Sequence, residues 1–474
     1  MTATDAAVPF PTRPREQVLA LRRSSSRQRR AIVSGWAGYW IDMVDVYLPL
    51  VALAPAIAYF QPAGVNSDLA SVLFVATFAA TMLGRPLGAL IFGQLADRLG
   101  RRRLTLASIA GFSTCTAAIG FLPGFVAWGA VAPVVLVALR FVNGVFLGGE
   151  YSAGTPLAFE QCPPRARGLL GGLMLGAYAV AYVFLSLVVL GVLAVAPASG
   201  LASPYVQWGW RIPFLLGALL GFLLLLFRAR VPESDTWRRA RKVDRPLKAL
   251  AGPALRRDLA QVLLVMTGLW LMSGSVSSFM PRVLLTRYDT SATAVTSALL
   301  AAHVALLVTV VLVGMSSQVI GRRAILIIGA VAAVLLGLPL YAVVASGAVS
   351  PAVAFLLAGA VHVFVVGAWG AASSYCNERF PTAVRSSGFG IGYSVSLALP
   401  SLSPLYVAGL GRFMPFQYTP LVLLVVGAAL LGIGALRGPE TAGVDLAALD
   451  GDAGAALPTL PNQRGTSAAE VVGS

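Results

Sequence analysis

Twelve apolar runs, each near the roughly 20 residues that a helix needs to cross a bilayer, follow one another along the chain with short polar turns between them. They fall near 33–60, 68–92, 104–123, 131–158, 168–195 and 211–228, then 259–281, 291–314, 324–346, 351–375, 387–410 and 419–436. In hydrocarbon the backbone must satisfy its own polar groups, which a helix does within one segment. The expected fold is therefore an all-α membrane protein with twelve transmembrane helices. Composition agrees: 57% of residues are hydrophobic and 11% charged, too little polar surface for a water-soluble exterior. Pro62, Pro123, Pro163 and Pro351 adjoin the runs as helix-end punctuation.

The formal charge of +16 is distributed by side of the membrane rather than as a nucleic-acid surface. Seven arginines lie between Arg13 and Arg30, ten Lys or Arg lie between Arg228 and Arg257, and the loops beginning at Asp97, Arg165, Arg322 and Arg379 are also basic. With twelve spans, all of these fall on one side; the opposite loops carry little positive charge beyond Arg282, Arg287 and Arg412. Basic loops are retained in the cytoplasm, so both termini and the central loop are expected there. The expected setting is a multi-pass protein of the cell membrane, surrounded by lipid, monomeric and without a nucleic-acid partner. Cys115, Cys162 and Cys376 have no paired spacing, so neither a disulfide framework nor a metal site is indicated. No nucleotide loop or nucleophile set suggests an enzyme. The expected organisation is a basic segment at 1–30, a six-helix unit at 31–228, a central loop at 229–258, a second six-helix unit at 259–437 and a disordered tail at 438–474. The basic N-terminal segment precedes a span too long for a signal peptide, so it is expected to be retained.

The two units repeat each other. Gly93-Gln94-Leu95-Ala96-Asp97-Arg98-Leu99-Gly100-Arg101-Arg102 recurs in degraded form 221 residues later as Gly314-Met315-Ser316-Ser317-Gln318-Val319-Ile320-Gly321-Arg322-Arg323. Glu160-x2-Pro163-x3-Arg167 returns with the same spacing as Glu378-x2-Pro381-x3-Arg385, and Pro232-Glu233-Ser234 is echoed by Pro439-Glu440-Thr441. Three landmarks in one order imply a duplication, with parallel halves around an axis along the membrane normal and a central cavity between them.

The loop at 93–102 resembles the signature of the major facilitator superfamily, and the likeness runs from about residue 35 to 441. Local strings resemble the metabolite:proton symporter group within it. These are Gly84-Arg85-Pro86-Leu87-Gly88-Ala89, Arg140-Phe141-Val142-Asn143-Gly144 with Gly148-Gly149-Glu150, Trp208-Gly209-Trp210-Arg211-Ile212-Pro213-Phe214, and Phe380-Pro381-Thr382-Ala383-Val384-Arg385-Ser386-Ser387-Gly388. Asp42-Met43-Val44-Asp45 departs from that group and is more similar to aromatic-acid and sialate:proton symporters, and Asn143 stands where Gln is usual. The resemblance implies two six-helix bundles in the major facilitator fold, related by a pseudo-twofold along the membrane normal. It also implies alternating access, a proton as coupling ion with no other cofactor, and a span-four arginine near the proton or substrate site.

A charge at the centre of a span costs about 2.5 to 3.5 kcal/mol on insertion scales, so each intramembrane ionisable residue needs a partner or a function. Asp42, Asp45, Arg85, Arg140 and Glu150 lie in the first half; His303 and His362 lie in the second. Proton coupling is expected at Asp42, Asp45, Arg140 and Glu150. Asp42 and Asp45 share a helix face at i and i+3, and neighbouring carboxylates do not readily ionise together. At about 1.5 Å of rise per residue, Asp42 and Arg85 reach a common depth, so a permanent ion pair between spans one and two is the alternative for Asp42. Asp45 is deeper and has less obvious compensation, which favours function there. Arg140 is expected to bind a carboxylate through paired hydrogen bonds, or else to bridge to Asp45. Glu150 is about 15 Å along the helix from Arg140 and serves proton coupling or joins a latch with an arginine of a neighbouring span. Tyr47, Arg85, Arg140, Ser275 and Ser277 are the expected substrate contacts, the serines lying in a small-residue run that can also unwind. The two histidines are secondary candidates. Gly84 with Gly88, and Gly144 with Gly148, read as close helix packing.

The cytoplasmic gate is expected at Gly93, Asp97, Arg98, Gly100, Arg101 and Arg102, with Glu160, Arg167, Glu378 and Arg385. Asp97 suits the N-terminus of a helix from the other half, and the Glu/Arg residues suit pairing across the halves. Gln318, in place of the aspartate, makes the second copy the weaker latch. The expected activity is proton-coupled import of a small polar metabolite, a carboxylate or zwitterion. Proton-driven efflux of an amphiphile is the alternative, and a non-transporting receptor a more distant one.

Overall fold

The computed structural model of the chain describes residues 12–62, 67–239, 243–446 and 449. Residues 1–11 of the expected basic segment at 1–30, part of the central loop at 240–242 and nearly all of the tail beyond 446 lie outside the described residues. Among the described residues, eleven helices are long and apolar enough to cross a membrane: Ser26–Phe60, Ala76–Leu99, Val131–Gln161, Pro164–Val195, Tyr205–Arg228, Arg256–Tyr288, Ala294–Ile320, Arg322–Ser346, Pro351–Asn377, Thr382–Leu410 and Phe416–Arg437. The expected span three is the helix Arg101–Gly120, long enough but less apolar. Its Thr105, Ser108, Ser113 and Thr116 are buried inside the protein, and the hydroxyls of Thr105 and Ser113 donate to carbonyls one turn back (both 2.7 Å). Polar groups at membrane depth are tolerated when protein covers and satisfies them. With this helix the chain has twelve spans, numbered here in chain order.

The spans form two bundles. In the first half, span two packs on span four, span three on four and six, and span one on four, five and six; in the second, span seven packs on twelve, eight on ten and nine on twelve. Spans five and eight, two and eleven, and five and ten join the halves. Within the first bundle the glycine pairs interlock. A Cβ on Gly84 or Gly88 would strike the backbone between Phe141 and Val145, and one on Gly144 or Gly148 the backbone of Thr81 or Arg85.

Several spans are broken where the sequence removes a backbone donor. Pro49 and Pro55 turn the end of span one into a π segment at Leu48–Leu53 and a 3-10 segment at Ala54–Phe60. Span seven stops at Ser277 and restarts at Met280, so the expected unwinding falls just after the serine run.

The repeated loops are true structural copies. Gly100 and Gly321 take φ of 110° and 115°, which side chains rarely adopt. Glu233 accepts the Arg102 backbone N–H (3.0 Å), and Glu440 those of Arg322 and Arg323 (2.7 and 3.1 Å). Each carboxylate thus caps the first turn of span three or span nine, where free N–H groups and the helix dipole favour an anion. The loosest echo in the sequence is therefore part of the same turn as the tightest.

Candidate functional site

Span one supplies the two carboxylates and its neighbours supply the cations. Asp42 receives both terminal nitrogens of Arg85, at 3.0 and 2.7 Å, and both side chains are buried. Asp45 is far from uncompensated. Arg140 donates to its Oδ1 at 2.8 Å and to its backbone oxygen at 3.2 Å; Thr116 and Asn143 (3.3 Å) donate to Oδ2. Asn143 also holds the Thr116 hydroxyl at 3.0 Å. The compensation of Asp45, less obvious in the sequence than that of Asp42, is thus supplied by spans three and four, which converge on it. The guanidinium of Arg140 faces Asp45 inside the first bundle, the bridging alternative, and is engaged there.

Glu150 is buried and makes no hydrogen bond or ion pair among the described residues. Its carboxylate fills a notch left by Gly38 of span one and Gly154 of its own helix. A Cβ on Gly154 would lie 2.6 Å from Glu150 Oε1 and 3.0 Å from Arg228 Nη2. The neighbouring-span arginine is therefore Arg228, at the end of span six, which donates to Ser34 at 2.7 Å. Glu150 and Arg228 both lie in the first bundle, so this proximity is not a latch between bundles.

Between the bundles at mid-depth stands a group of aromatic residues. The Tyr39 and Tyr393 hydroxyls are 3.2 Å apart across the interface. Tyr151 packs against Tyr393 with ring centres 3.8 Å apart and planes tilted by 40°, and Trp270 lies 4.7 Å from Trp369. Trp270 donates to the Tyr393 carbonyl (3.0 Å) and Trp369 to the Ser273 hydroxyl. Of the expected contacts in span seven, Ser275 is buried and spends its hydroxyl on the Met272 carbonyl (2.7 Å), whereas the Ser277 hydroxyl has no hydrogen-bond partner among the described residues. Tyr47 packs against Tyr178 and Tyr182 (5.3 and 5.2 Å). Tyr182 in turn stacks on His303 (4.1 Å), which lies 5.7 Å from His362. Both histidine Nδ1 atoms bond carbonyls one turn back (2.8 and 3.1 Å).

The arginine-rich end is shut by contacts from both halves. Asp97 accepts from the Ser386 N–H (3.0 Å), the Ser387 N–H (2.8 Å) and the Ser387 hydroxyl (2.7 Å). These serines open the helix Arg385–Ser394, so the carboxylate sits at a helix N-terminus of the other half. Gly93 lets span two approach that turn, where a Cβ would be 3.1 Å from Ser387 Cα. Glu160 pairs with Arg101 of its own half and Arg385 of the other, and Arg101 also donates to the Thr382 carbonyl (2.9 Å). Arg98 and Arg102 remain on their own side, on Asp244 (3.4 Å) and on the Ala229 carbonyl (2.5 Å).

The second copy is built differently. The Gln318 side chain accepts from one N–H of the other half, that of Gly168 (3.1 Å) at the start of span five, and from Arg322 of its own half. Glu378 pairs with Arg322 of its own half (3.2 Å) and accepts from Thr441 (2.8 Å). Arg167 donates to the Val444 carbonyl (3.0 Å), and its own carbonyl receives the Ser374 hydroxyl (2.8 Å). One Glu/Arg pair therefore crosses the halves, not two. Ser386, Ser387, Thr116 and Arg228 were not read from the sequence; the pair of serines after Pro381, at a helix start, was the available signal for the first two.

The family model described as Major Facilitator Superfamily matches residues 35–404. The chain belongs to that superfamily. This major facilitator protein is 28% identical over 394 residues to the inner membrane metabolite transport protein YhjE of Escherichia coli, covering 80% of this chain and 87% of the relative. It is 30% identical to the ectoine/proline transporter ProP of Corynebacterium glutamicum (78% and 75% covered) and 27% identical to the shikimate transporter of Escherichia coli (89% and 95%). Among solved structures it resembles the proton:xylose symporter XylE with a TM-score of 0.71 at 19% identity, over 90% of this chain and 99% of that one. The fold is thus the two-bundle, twelve-helix major facilitator fold, and the protein is a multi-pass membrane transporter, not an enzyme.

Proposed function

We propose that this transporter carries a small carboxylate or zwitterion together with a proton, and that its arginine-rich end is the cytoplasmic one. The observation that carries the reading is the fully buried, two-pronged Asp42–Arg85 pair, one helical turn from the Tyr39–Tyr393 contact that bridges the bundles. A proton arriving on Asp42 cancels its charge and leaves Arg85 uncompensated in a medium of low dielectric, which is unfavourable. A substrate carboxylate can replace the lost anion through the same paired hydrogen bonds. Proton and substrate then favour each other, which is what symport requires. Asp45, held by Arg140, Thr116 and Asn143, is the second carboxylate of the coupling site. Ectoine, proline and shikimate, named for the relatives, each bear a carboxylate, which supports the substrate class. Basic loops are retained in the cytoplasm, which supports the orientation of both termini.

The structure is closed at the arginine-rich end, as expected of the outward-facing limb of an alternating-access cycle. The return requires the Asp97 and Glu160 contacts to break. The test is uptake by the reconstituted protein with Asp42→Asn or Asp45→Asn. Each variant should lose accumulation driven by a proton gradient while keeping exchange of labelled for unlabelled solute. Gradient-driven accumulation at the unmodified level by both variants would sink the coupling assignment.

A further inference from the structure

The helix Pro14–Arg22 precedes span one and lies across the join between the halves. It packs on the turn Pro164–Ala166 and on span five of its own half, and on span eight of the other. Gln17 is fully buried there, its amide donating to the Met315 carbonyl (2.9 Å) and to the Thr12 carbonyl (3.1 Å). The Thr12 N–H donates to the Gln318 carbonyl (3.3 Å). Thus the helix is seated on the degraded copy of the signature loop.

The same arrangement exists with the halves exchanged. The helix Pro246–Ala251 precedes span seven and packs on the turn Thr382–Val384 and span eleven of its own half, and on span two of the other. Both helices begin with an Arg-Pro dipeptide, Arg13-Pro14 and Arg245-Pro246, 232 residues apart. The duplication therefore extends beyond the membrane spans to a helix ahead of each half.

We propose that Pro14–Arg22 is a strap that holds the arginine-rich end closed and must leave its seat when that end opens. Its seat is made of the parts that separate. Gly168 bonds Gln318 in the closed arrangement, and the strap touches the segment on either side of that bond. It also adds contacts where they are scarce, since the Gln318 side chain accepts one hydrogen bond from the membrane spans of the other half and the Asp97 side chain three. The contact is switchable in kind: a neutral amide exchanged between carbonyl and water changes the balance modestly. A helix of nine residues is too short to persist alone in water, so undocking and unfolding would occur together.

This inference rests on alternating access but not on the identity of the solute or coupling ion, and its test reads the gate itself. Cys162 is buried at the closed end. In a chain with Cys115→Ala and Cys376→Ala, the rate at which maleimide labels Cys162 reports opening without substrate or proton gradient. Gln17→Ala should raise that rate about fivefold, the effect of one net hydrogen bond, while Arg22→Ala on the exposed face should leave it unchanged. A second variant, Gln17→Glu in the same background, keeps the side chain's length but sets carboxylate oxygens against the Met315 and Thr12 carbonyls, and should raise the labelling rate at least as much. Unchanged labelling in Gln17→Ala or in Gln17→Glu, or an equal rise in Arg22→Ala, would overturn the strap.

Discussion

Asp42 and Asp45 lie almost one turn apart on span one, yet their surroundings differ in kind. Asp42 depends on a single residue, Arg85, whereas Asp45 is shared among three. Breaking a buried pair by removing one partner costs about 3–5 kcal/mol, while replacing both is far less harmful. Arg85→Met should therefore lower the thermal unfolding temperature of the detergent-purified protein markedly, and Asp42→Asn with Arg85→Met should recover most of the loss. A double variant no more stable than the single one would show that the pair is not what Arg85 contributes. The sequence made the first pair legible because helix rise alone sets the depth of Asp42 and Arg85. It offered a bridge from Arg140 to Asp45 only as an alternative and did not reveal Thr116 and Asn143 there, because these contacts depend on how spans one, three and four are rotated about their axes. Residue spacing along one helix does not contain that rotation.

At the scale of elements, the two signature loops share a backbone and differ in grip. Gly100 and Gly321 make the same turn, Glu233 and Glu440 cap the same helix start, and the position between them carries Asp97 or Gln318. Gln318→Asp should strengthen the second latch, because a carboxylate beside the Gly168 N–H and the Arg322 guanidinium makes charge-assisted hydrogen bonds. Labelling of Cys162 should slow about threefold or more, corresponding to an added 0.7 kcal/mol or so within the range for such bonds; faster labelling would contradict this. The asymmetry between Asp97 and Gln318 was legible in the sequence. The fate of Glu378 was not: its spacing to Arg385 copies that of Glu160 to Arg167, but Arg322 reaches it first from its own half. The strap was equally hidden, since a nine-residue basic helix shows no apolar run.

For the whole molecule, the cross-bundle bonds described run from the mid-depth tyrosines to the arginine-rich end, so one set of contacts defines the closed state. Gly144→Leu should disable the protein differently from any gate variant. The bulky side chain would strike the Thr81 backbone within the first bundle, and overpacking costs about 1–3 kcal/mol or more, lowering the unfolding temperature and transport together; normal stability would contradict that packing. The duplicated architecture was legible from the twelve apolar runs and three echoes because hydrophobic length and loop chemistry are local properties, whereas the state of the gate is a property of both halves at once. The claim that joins these scales is that proton and carboxylate are carried together. Its most direct measurement is uptake into proteoliposomes of a panel of organic acids and zwitterionic osmolytes, with and without an imposed inward proton gradient. The account predicts at least one carboxylate-bearing solute accumulating above equilibrium only while the gradient lasts and collapsing with a protonophore; accumulation indifferent to the gradient, or an amphiphilic dye expelled while no carboxylate enters, would contradict it.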